Sequence, residues 1–247
     1  MTISNSTLCA LQFAYEMQSF EENFATLRQL IEQTPQGAIV LAPELCLSGY
    51  CYQNMDKAAL FSNAIMDELK MLSLHKTIGL TLIEQTPQGF YNNFKLFHHG
   101  EVVLTRAKAK LFTLGEENSY FQEGNTNEIT LIEIDGIKIA VLICFELRFT
   151  ELWKQISGAD IVLIPAFWGR LRKMHFEILS QALAITNQTW VVCANSNGDE
   201  MAAGSSIITP FGEAYRDDHQ SLLMRTYDEK ETQKMRRYID IGLYTNG

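Results

Sequence analysis

Residues 140–149 read Ala140-Val141-Leu142-Ile143-Cys144-Phe145-Glu146-Leu147-Arg148-Phe149, and they place a reactive side chain at the end of an apolar run. The first four residues are typical of a buried strand in a parallel sheet. After Cys144 comes a short polar turn, and a helix-like segment opens near Thr150. A strand fixes the position of such a thiol, and the N–H groups of a helix start favour its thiolate. Cys144 is therefore a candidate nucleophile, although free cysteines are also common small core residues.

Strands and helices alternate on both sides of this stretch, in a similar order in the two halves of the chain. Periodicity predicts helices over residues 21–32, 55–75 and 171–187. The predicted strands, or extended segments near the end of the chain, are 8–13, 38–42, 77–84, 90–98, 101–107, 129–134, 137–143, 160–165, 190–195, 205–209, 213–217, 221–226 and 235–241. Because no linker rich in Pro, Ser or Gly divides them, we expect one α/β domain over residues 1–247. Two stacked mixed sheets with helices on the outer faces are the natural packing.

Composition excludes several classes of function. The net charge of −9 argues against binding to nucleic acid, which requires a basic face. No apolar run approaches the ~18 residues of a membrane span, and the first residues lack the features of a signal peptide. The five cysteines are odd in number and scattered, which predicts a reduced, cytoplasmic protein without a disulfide framework. The spacing of Cys46 and Cys51 gives no zinc motif, so we expect no metal and no cofactor.

Three chemically useful groups follow predicted strands, namely Glu44, Lys110 and Cys144. A carboxylate can take the proton of a thiol and later activate water, and an ammonium can stabilise both a thiolate and an oxyanion. Together they suit acyl transfer through a thioester. Taken singly, Glu44 also fits a turn carboxylate and Lys110 an ordinary surface lysine. A dyad of Cys144 with His175 is an alternative that no further motif supports.

These groups lie in motifs that resemble the three signatures of the nitrilase superfamily of carbon–nitrogen hydrolases. The motifs are Pro43-Glu44-Leu45 with Ser48-Gly49-Tyr50, then Lys110-Leu111-Phe112, then Cys144 to Phe149. Pro165-Ala166-Phe167-Trp168 and Asn187-Gln188-Thr189 resemble two further motifs of the superfamily. The resemblance implies an α-β-β-α sandwich that dimerises through its outer helices.

The resemblance also implies roles for individual residues. Glu44 is expected to be the general base, Lys110 the oxyanion stabiliser and Cys144 the nucleophile. A second glutamate after the lysine is common in the superfamily, and Glu117 fits best, with Glu116 and Glu123 as alternatives. The superfamily usually reads Cys-Tyr-Asp-Leu-Arg-Phe-Pro, whereas this chain has Phe145, Glu146 and Thr150 in place of Tyr, Asp and Pro.

The expected activity is hydrolysis of a small linear amide to a carboxylic acid and ammonia, through a cysteine thioester. Alternatives are a nitrile-cleaving or N-carbamoyl-cleaving member of the superfamily and a catalytically silent binding protein. Phe145, Arg148, Phe167 and Trp168 are the expected substrate-binding residues. Arg148 and the basic run at 170–173 are candidates for binding the carboxylate of an ω-amide, as in an ω-amidase, but the run is also typical of a solvated helix start.

Assembly is expected to be a homodimer or a higher even-numbered oligomer. The helix at 171–187 is more apolar than one sheet face requires, and large apolar patches usually mark interfaces. The residues concerned are Leu171, Met174, Ile178, Leu179, Leu183 and Ile185, with Leu152, Trp153 and Ile156 nearby. The alternative is that the core of a single subunit buries all of them.

Overall fold

Two mixed sheets form the centre of the molecule in the computed structural model, which describes residues 6–15 and 19–243. Within these ranges each sheet has six strands. The strands are β1 (Thr7–Leu11), β2 (Ile39–Leu41), β3 (Thr77–Thr86), β4 (Gly89–His98), β5 (Glu101–Ala107), β6 (Ile132–Ile134), β7 (Ile137–Val141), β8 (Ile161–Ala166), β9 (Trp190–Asn195), β10 (Ser206–Ile208), β11 (Ala214–Arg216) and β12 (Leu222–Thr226). The helices are α1 (Phe20–Glu32), α2 (Met55–Ala64), α3 (Met66–Leu72), α4 (Glu117–Tyr120), α5 (Thr150–Gln155), α6 (Lys173–Asn187) and α7 (Glu229–Tyr238).

Each sheet has a parallel centre and antiparallel edges. The first sheet has the order β12-β1-β2-β3-β4-β5, and the second has the order β11-β10-β9-β8-β7-β6. Strands β1, β2 and β3 run parallel, as do β7, β8 and β9. The carboxyl ends of parallel strands lie at one edge of a sheet, and this is where open α/β sheets bind ligands. The strands that precede Glu44 and Cys144 therefore end where a site is expected.

Alternating side chains divide the core between two interfaces. Leu8 and Ala10 of β1 belong to the core that the two sheets share, whereas Cys9 and Leu11 pack with the outer helices α1 and α3. This alternation follows from the period of two in a strand. On the second sheet, the outer helix α6 buries Phe176 and Leu183 against the strands, and both side chains belong to the same contiguous cluster of core residues. The predicted sandwich of two sheets with outer helices is confirmed.

Two sequence predictions about single elements were wrong. The predicted helix over 55–75 is two helices, α2 and α3, that meet at Ile65. Part of the predicted extended tail is the helix α7, where the Asp228 side chain caps the first turn by accepting a hydrogen bond from the Lys230 N–H. Acidic residues in its first turn and basic residues in its last suit the helix dipole. Over the described residues, no helix has the length and apolar character needed to cross a bilayer.

Candidate active site

Cys144 lies in a tight turn that follows β7. It opens the 3₁₀ helix Cys144–Arg148, and its φ of 48° is in the left-handed region that residues other than glycine seldom adopt. The side chain is buried, and the Phe167 N–H donates a hydrogen bond to Cys144 Sγ over 3.4 Å. The turn thus holds the thiol in one orientation beside the loop that follows β8.

Glu44 is fully buried just beyond the end of β2. Its backbone N–H donates to the Ala166 carbonyl at the end of β8, so a hydrogen bond joins the two sheets here. Its Oε1 accepts hydrogen bonds from Asn92 Nδ2 at 2.8 Å and from Lys108 Nζ at 2.9 Å. Its Oε2 has no hydrogen-bond partner within the described ranges, which leaves one basic oxygen for a proton.

The lysine between the carboxylates is Lys108, and the expectation that Lys110 lies there was wrong. Lys108 is fully buried directly after β5, and its Nζ donates to Glu117 Oε1 at 2.8 Å as well as to Glu44. Lys110 is only half-buried, and its Nζ lies 5.2 Å from the centroid of the Phe149 ring. A shift of two positions along the chain therefore exchanges an ammonium between two carboxylates for one that lies over the ring of Phe149.

Glu117, rather than Glu116 or Glu123, contacts the lysine. It is buried at the start of α4, and its Oε2 accepts a hydrogen bond from the Phe112 N–H at 3.0 Å. Glu116 and Glu123 are both exposed. The short helix α4 therefore turns one glutamate of this loop inward, where it shares Lys108 with Glu44.

The electrostatics of this cluster keep the resting thiol protonated. Burial, together with the nearby charge of Glu44, raises the pKa of Cys144 well above its usual range, while Lys108 opposes the shift. Burial alone would lower the pKa of Lys108, but Glu44, Cys144 and Glu117 raise it, so its ammonium stays charged. A neutral thiol between a carboxylate and an ammonium suits proton transfer to the carboxylate during attack. The ammonium can then stabilise the oxyanion that forms.

A buried ion pair links the lysine segment to the cysteine turn. Arg106 donates to Glu146 Oε1 at 2.9 Å and to Glu146 Oε2 at 2.5 Å. The same carboxylate accepts the Ala109 N–H at 2.7 Å and the Ile143 N–H at 2.6 Å. Glu146 therefore fixes the backbone directly after Lys108 and directly before Cys144, and its bidentate pairing with Arg106 gives it a defined geometry. We call these two side chains the Arg106–Glu146 pair.

A pocket of about 270 Å³ opens in front of Cys144. All four residues predicted to bind substrate line it, together with Tyr50 of the first motif and Tyr52, which sequence analysis did not single out. The guanidinium of Arg148 lies 4.5 Å from the centre of the Trp168 ring, and that of Arg172 lies 5.0 Å from the centre of the Phe112 ring. Both arginines belong to the pocket lining, whereas Arg170 and Lys173 do not. Asn195 holds the loop behind the pocket by accepting the Trp168 N–H and donating to the Trp168 carbonyl.

Sequence analysis missed Lys108, Asn92 and Arg106. Lys108 carried one signal in the sequence, because it directly follows the strand predicted over residues 101–107, which has the same end as β5. Asn92 and Arg106 carried no local signal, because their partners are 48 and 40 residues distant along the chain.

Comparison with known proteins identifies the family and the fold. The model of the family described as carbon-nitrogen hydrolase matches residues 7–237. The chain is 28% identical to the 2-oxoglutaramate amidase of Bacillus subtilis (strain 168), over 95% of each chain. It is 32% identical to omega-amidase YafV of Escherichia coli (strain K12), over 78% of each chain. The crystal structure of Saccharomyces cerevisiae Nit3, a member of branch 10 of the nitrilase superfamily, superposes with a TM-score of 0.85 at 20% identity, over 96% of this chain and 95% of the other.

The family match covers both sheets and every residue of the cluster around Cys144. Two relatives with amidase names align over most of their own length. The chain therefore belongs to the carbon-nitrogen hydrolase family and is a hydrolase of carbon–nitrogen bonds other than peptide bonds.

Proposed function

We propose that the chain is an amidase that hydrolyses the ω-amide of a small dicarboxylic acid. The observation that carries this proposal is one pocket lined by Cys144 and Glu117 of an acyl-transfer cluster and by two arginines without a carboxylate partner. The cluster consists of Glu44, Lys108, Glu117 and Cys144. In the described part of the chain, no ion pair involves Arg148 or Arg172. The names of the two amidase relatives support the same class of substrate.

In the acylation half of the reaction, Glu44 Oε2 takes the proton of the Cys144 thiol while the sulfur attacks the amide carbon. Lys108 stabilises the resulting oxyanion. When the tetrahedral intermediate collapses, the carbon–nitrogen bond breaks, and Glu44 passes its proton to the leaving nitrogen. Ammonia departs and a thioester remains on Cys144.

In the deacylation half, Glu44 removes a proton from water, and the oxygen of that water attacks the thioester carbon. The carbon–sulfur bond breaks, the acid leaves, and the sulfur regains a proton. We assign Glu117 to positioning, because it holds Lys108 from the side opposite to Glu44. A reducing compartment such as the cytoplasm is part of this proposal, since a thiol nucleophile must stay reduced.

The far end of the pocket suits a carboxylate. Burial and the nearby charge of Arg172 lower the pKa of Arg148, so the two cations that line this pocket repel one another. An anion between them would relieve this repulsion, and guanidinium–carboxylate hydrogen bonds are among the strongest in proteins. The buried Trp168 lines the same pocket, and its Nε1–H has no acceptor within the described ranges, so it offers a further donor to substrate.

Hydrolysis of succinamate and of butyramide, with ammonia as the readout, tests the proposal. The two amides have similar size, and only succinamate carries a carboxylate. We expect kcat/KM for succinamate to exceed that for butyramide by about 100-fold or more, since each charged hydrogen bond contributes ~1.5–3 kcal/mol. A nitrile and an N-carbamoyl compound of the same length complete the panel. Preferential turnover of either one would overturn the amide assignment.

Matched arginine variants identify the carboxylate site. We expect Arg148→Met and Arg172→Met each to lower kcat/KM for succinamate by at least about tenfold, with little change for butyramide. Arg170→Met is the control, because Arg170 is exposed, pairs with Glu200 at 3.1 Å and does not line the pocket. If the wild type and all three variants hydrolyse both amides equally well, the ω-amide assignment is refuted, but amidase activity is not.

A further inference from the structure

Two hairpins from different sheets bring His98, His99 and Asp135 together at a place that is separate from the pocket in front of Cys144. His98 is the last residue of β4, His99 lies in the turn between β4 and β5, and Asp135 lies in the turn between β6 and β7. One ring nitrogen of each histidine and one carboxylate oxygen of Asp135 all lie within 4.8 Å of one another. His98 Nε2 is 3.5 Å from Asp135 Oδ2. The three ligand atoms come from two separate β-hairpins. They are close enough to one another to contact a single metal ion after small rotations of the side chains.

The backbone brings both histidine rings to one side. Neighbouring residues in a strand point to opposite faces, but His99 has a φ of 50°, in the left-handed region, and so breaks this alternation. The ring centroids of His98 and His99 are consequently 3.9 Å apart. Asp135 also has a positive φ, 51°, which the tight Asp135-Gly136 turn requires. Two strained turn residues thus face each other across the edges of the two sheets.

Hydrogen bonds to the other ring nitrogens orient both histidines. His98 Nδ1 lies 2.9 Å from Thr77 Oγ1, and His99 Nδ1 lies 3.2 Å from the carbonyl of Leu74. A carbonyl only accepts, so the proton of neutral His99 is on Nδ1 and its Nε2 carries a free lone pair. Metal-binding histidines almost always have such a partner on the second nitrogen.

We propose that His98, His99 and Asp135 bind a borderline divalent cation such as Zn²⁺. Two imidazoles and one carboxylate match the ligand preference of Zn²⁺, and water can complete a tetrahedron on the exposed side. Asp135 is largely exposed, so the fourth position is open to solvent. This proposal revises the expectation of no metal, which considered only the cysteines.

The surrounding charges are compatible with a cation. Asp135 supplies a carboxylate beside the two imidazole rings, which favours a divalent cation. Glu101, which pairs with His98 across the β4–β5 turn, also forms an ion pair with Lys70 at 3.7 Å. A bound metal would join the outer ends of the two sheets and stabilise the folded state against the unfolded one.

Calorimetric titration of the tag-free chain with Zn²⁺ alone tests the proposal. Cys144→Ala serves as the background, because it removes a competing thiol. We expect about one Zn²⁺ per chain with a micromolar or lower Kd, and a rise in Tm that saturates at the same ratio. His99→Ala and Asp135→Asn in this background should each weaken binding by at least about tenfold and abolish the rise in Tm. Both residues are exposed turn positions, so their replacement leaves the cores untouched.

His219→Ala is the matched control, because His219 is an exposed histidine in a different part of the chain. It should bind Zn²⁺ as the background protein does. Absence of binding in the background protein would overturn the proposal. Binding that His99→Ala and Asp135→Asn leave unchanged would also overturn it, because the metal would then lie elsewhere.

Discussion

At the residue scale, the choice between two lysines two positions apart decides what the cluster around Cys144 can do. Lys108 is buried between two carboxylates, whereas Lys110 lies on the ring of Phe149 outside the cluster. Either lysine fits the short pattern Lys-x-Lys-Leu-Phe that the sequence offers. Only burial separates them, and burial here depends on where β5 ends.

We predict that Lys108→Met abolishes measurable amide turnover and that Lys110→Met keeps it within a few-fold of wild type. Loss of one oxyanion donor lowers kcat by about 10²–10³, and loss of a charged one should do at least as much. Methionine keeps the length of the side chain and removes only the charge. Steady-state ammonia release from the two variants measures the difference, and circular dichroism checks that both fold. Comparable losses in both variants would contradict the assignment.

At the element scale, the Arg106–Glu146 pair joins the end of β5 to the turn after β7. The glutamate replaces the aspartate that the superfamily usually has, and its longer side chain reaches both backbone segments and an arginine. A bidentate buried pair of this kind strongly restricts the positions of its neighbours. The segments that carry Lys108 and Cys144 are therefore held at a fixed separation.

We predict that Glu146→Gln lowers kcat at least about tenfold while KM changes by no more than a few-fold. The amide NH₂ of glutamine would face donors that now point at a carboxylate, so the lysine and cysteine segments would move apart. Breaking one member of a buried pair should also destabilise the fold by ~3–5 kcal/mol. Urea unfolding and steady-state kinetics measure the two effects.

The double variant Arg106→Met/Glu146→Gln separates positioning from folding. It removes the unpaired buried charge, so we expect it to recover part of the unfolding free energy but not the lost kcat. Glu151→Gln is the control, since Glu151 is exposed at the start of α5. A wild-type kcat in the double variant would show that the pair serves folding alone.

Sequence patterns predicted the elements better than their ends. Alternation and helical periodicity located the strands of both sheets and the helices α1 and α6, because the core side chains of each are local in sequence. The helix α7 was missed, because few of its residues are apolar and its buried contacts, Thr232 and Met235, depend on the surface that it meets. In the site, motifs singled out Glu44, Glu117 and Cys144, whereas the choice of Lys108 over Lys110 and the contact of Arg106 with Glu146 depend on which side chains the fold turns inward.

At the scale of the whole molecule, α6 leaves an apolar stripe uncovered. Met174, Ile178 and Ile185 of α6 are 64%, 56% and 45% exposed, and Leu171, two residues before the helix, is 96% exposed. The contribution expected from Leu152, Trp153 and Ile156 was wrong, because the core of this subunit buries all three. Leu183 is buried there as well. The remaining stripe lies on the outer face of the second sheet, where the resemblance to the nitrilase superfamily places a dimer interface.

We predict a homodimer through this stripe, with Met174 and Ile178 at its centre. Light scattering at micromolar concentration should give about twice the 28.1 kDa of one chain, and Ile178→Glu should shift the mass toward the monomer. Met71→Glu is the control, because Met71 is equally exposed on α3 above the first sheet. A wild-type mass near that of one chain would contradict the prediction.

The cluster around Cys144 draws on both sheets. Glu44 and Lys108 follow strands of the first sheet, and Cys144 follows a strand of the second. Neither sheet carries both the base Glu44 and the nucleophile Cys144. Turnover therefore requires that the two sheets are docked on one another. During refolding, we expect catalytic activity to recover last, after the circular-dichroism signal of the strands. The rate at which product release recovers would then measure the final docking of the two sheets.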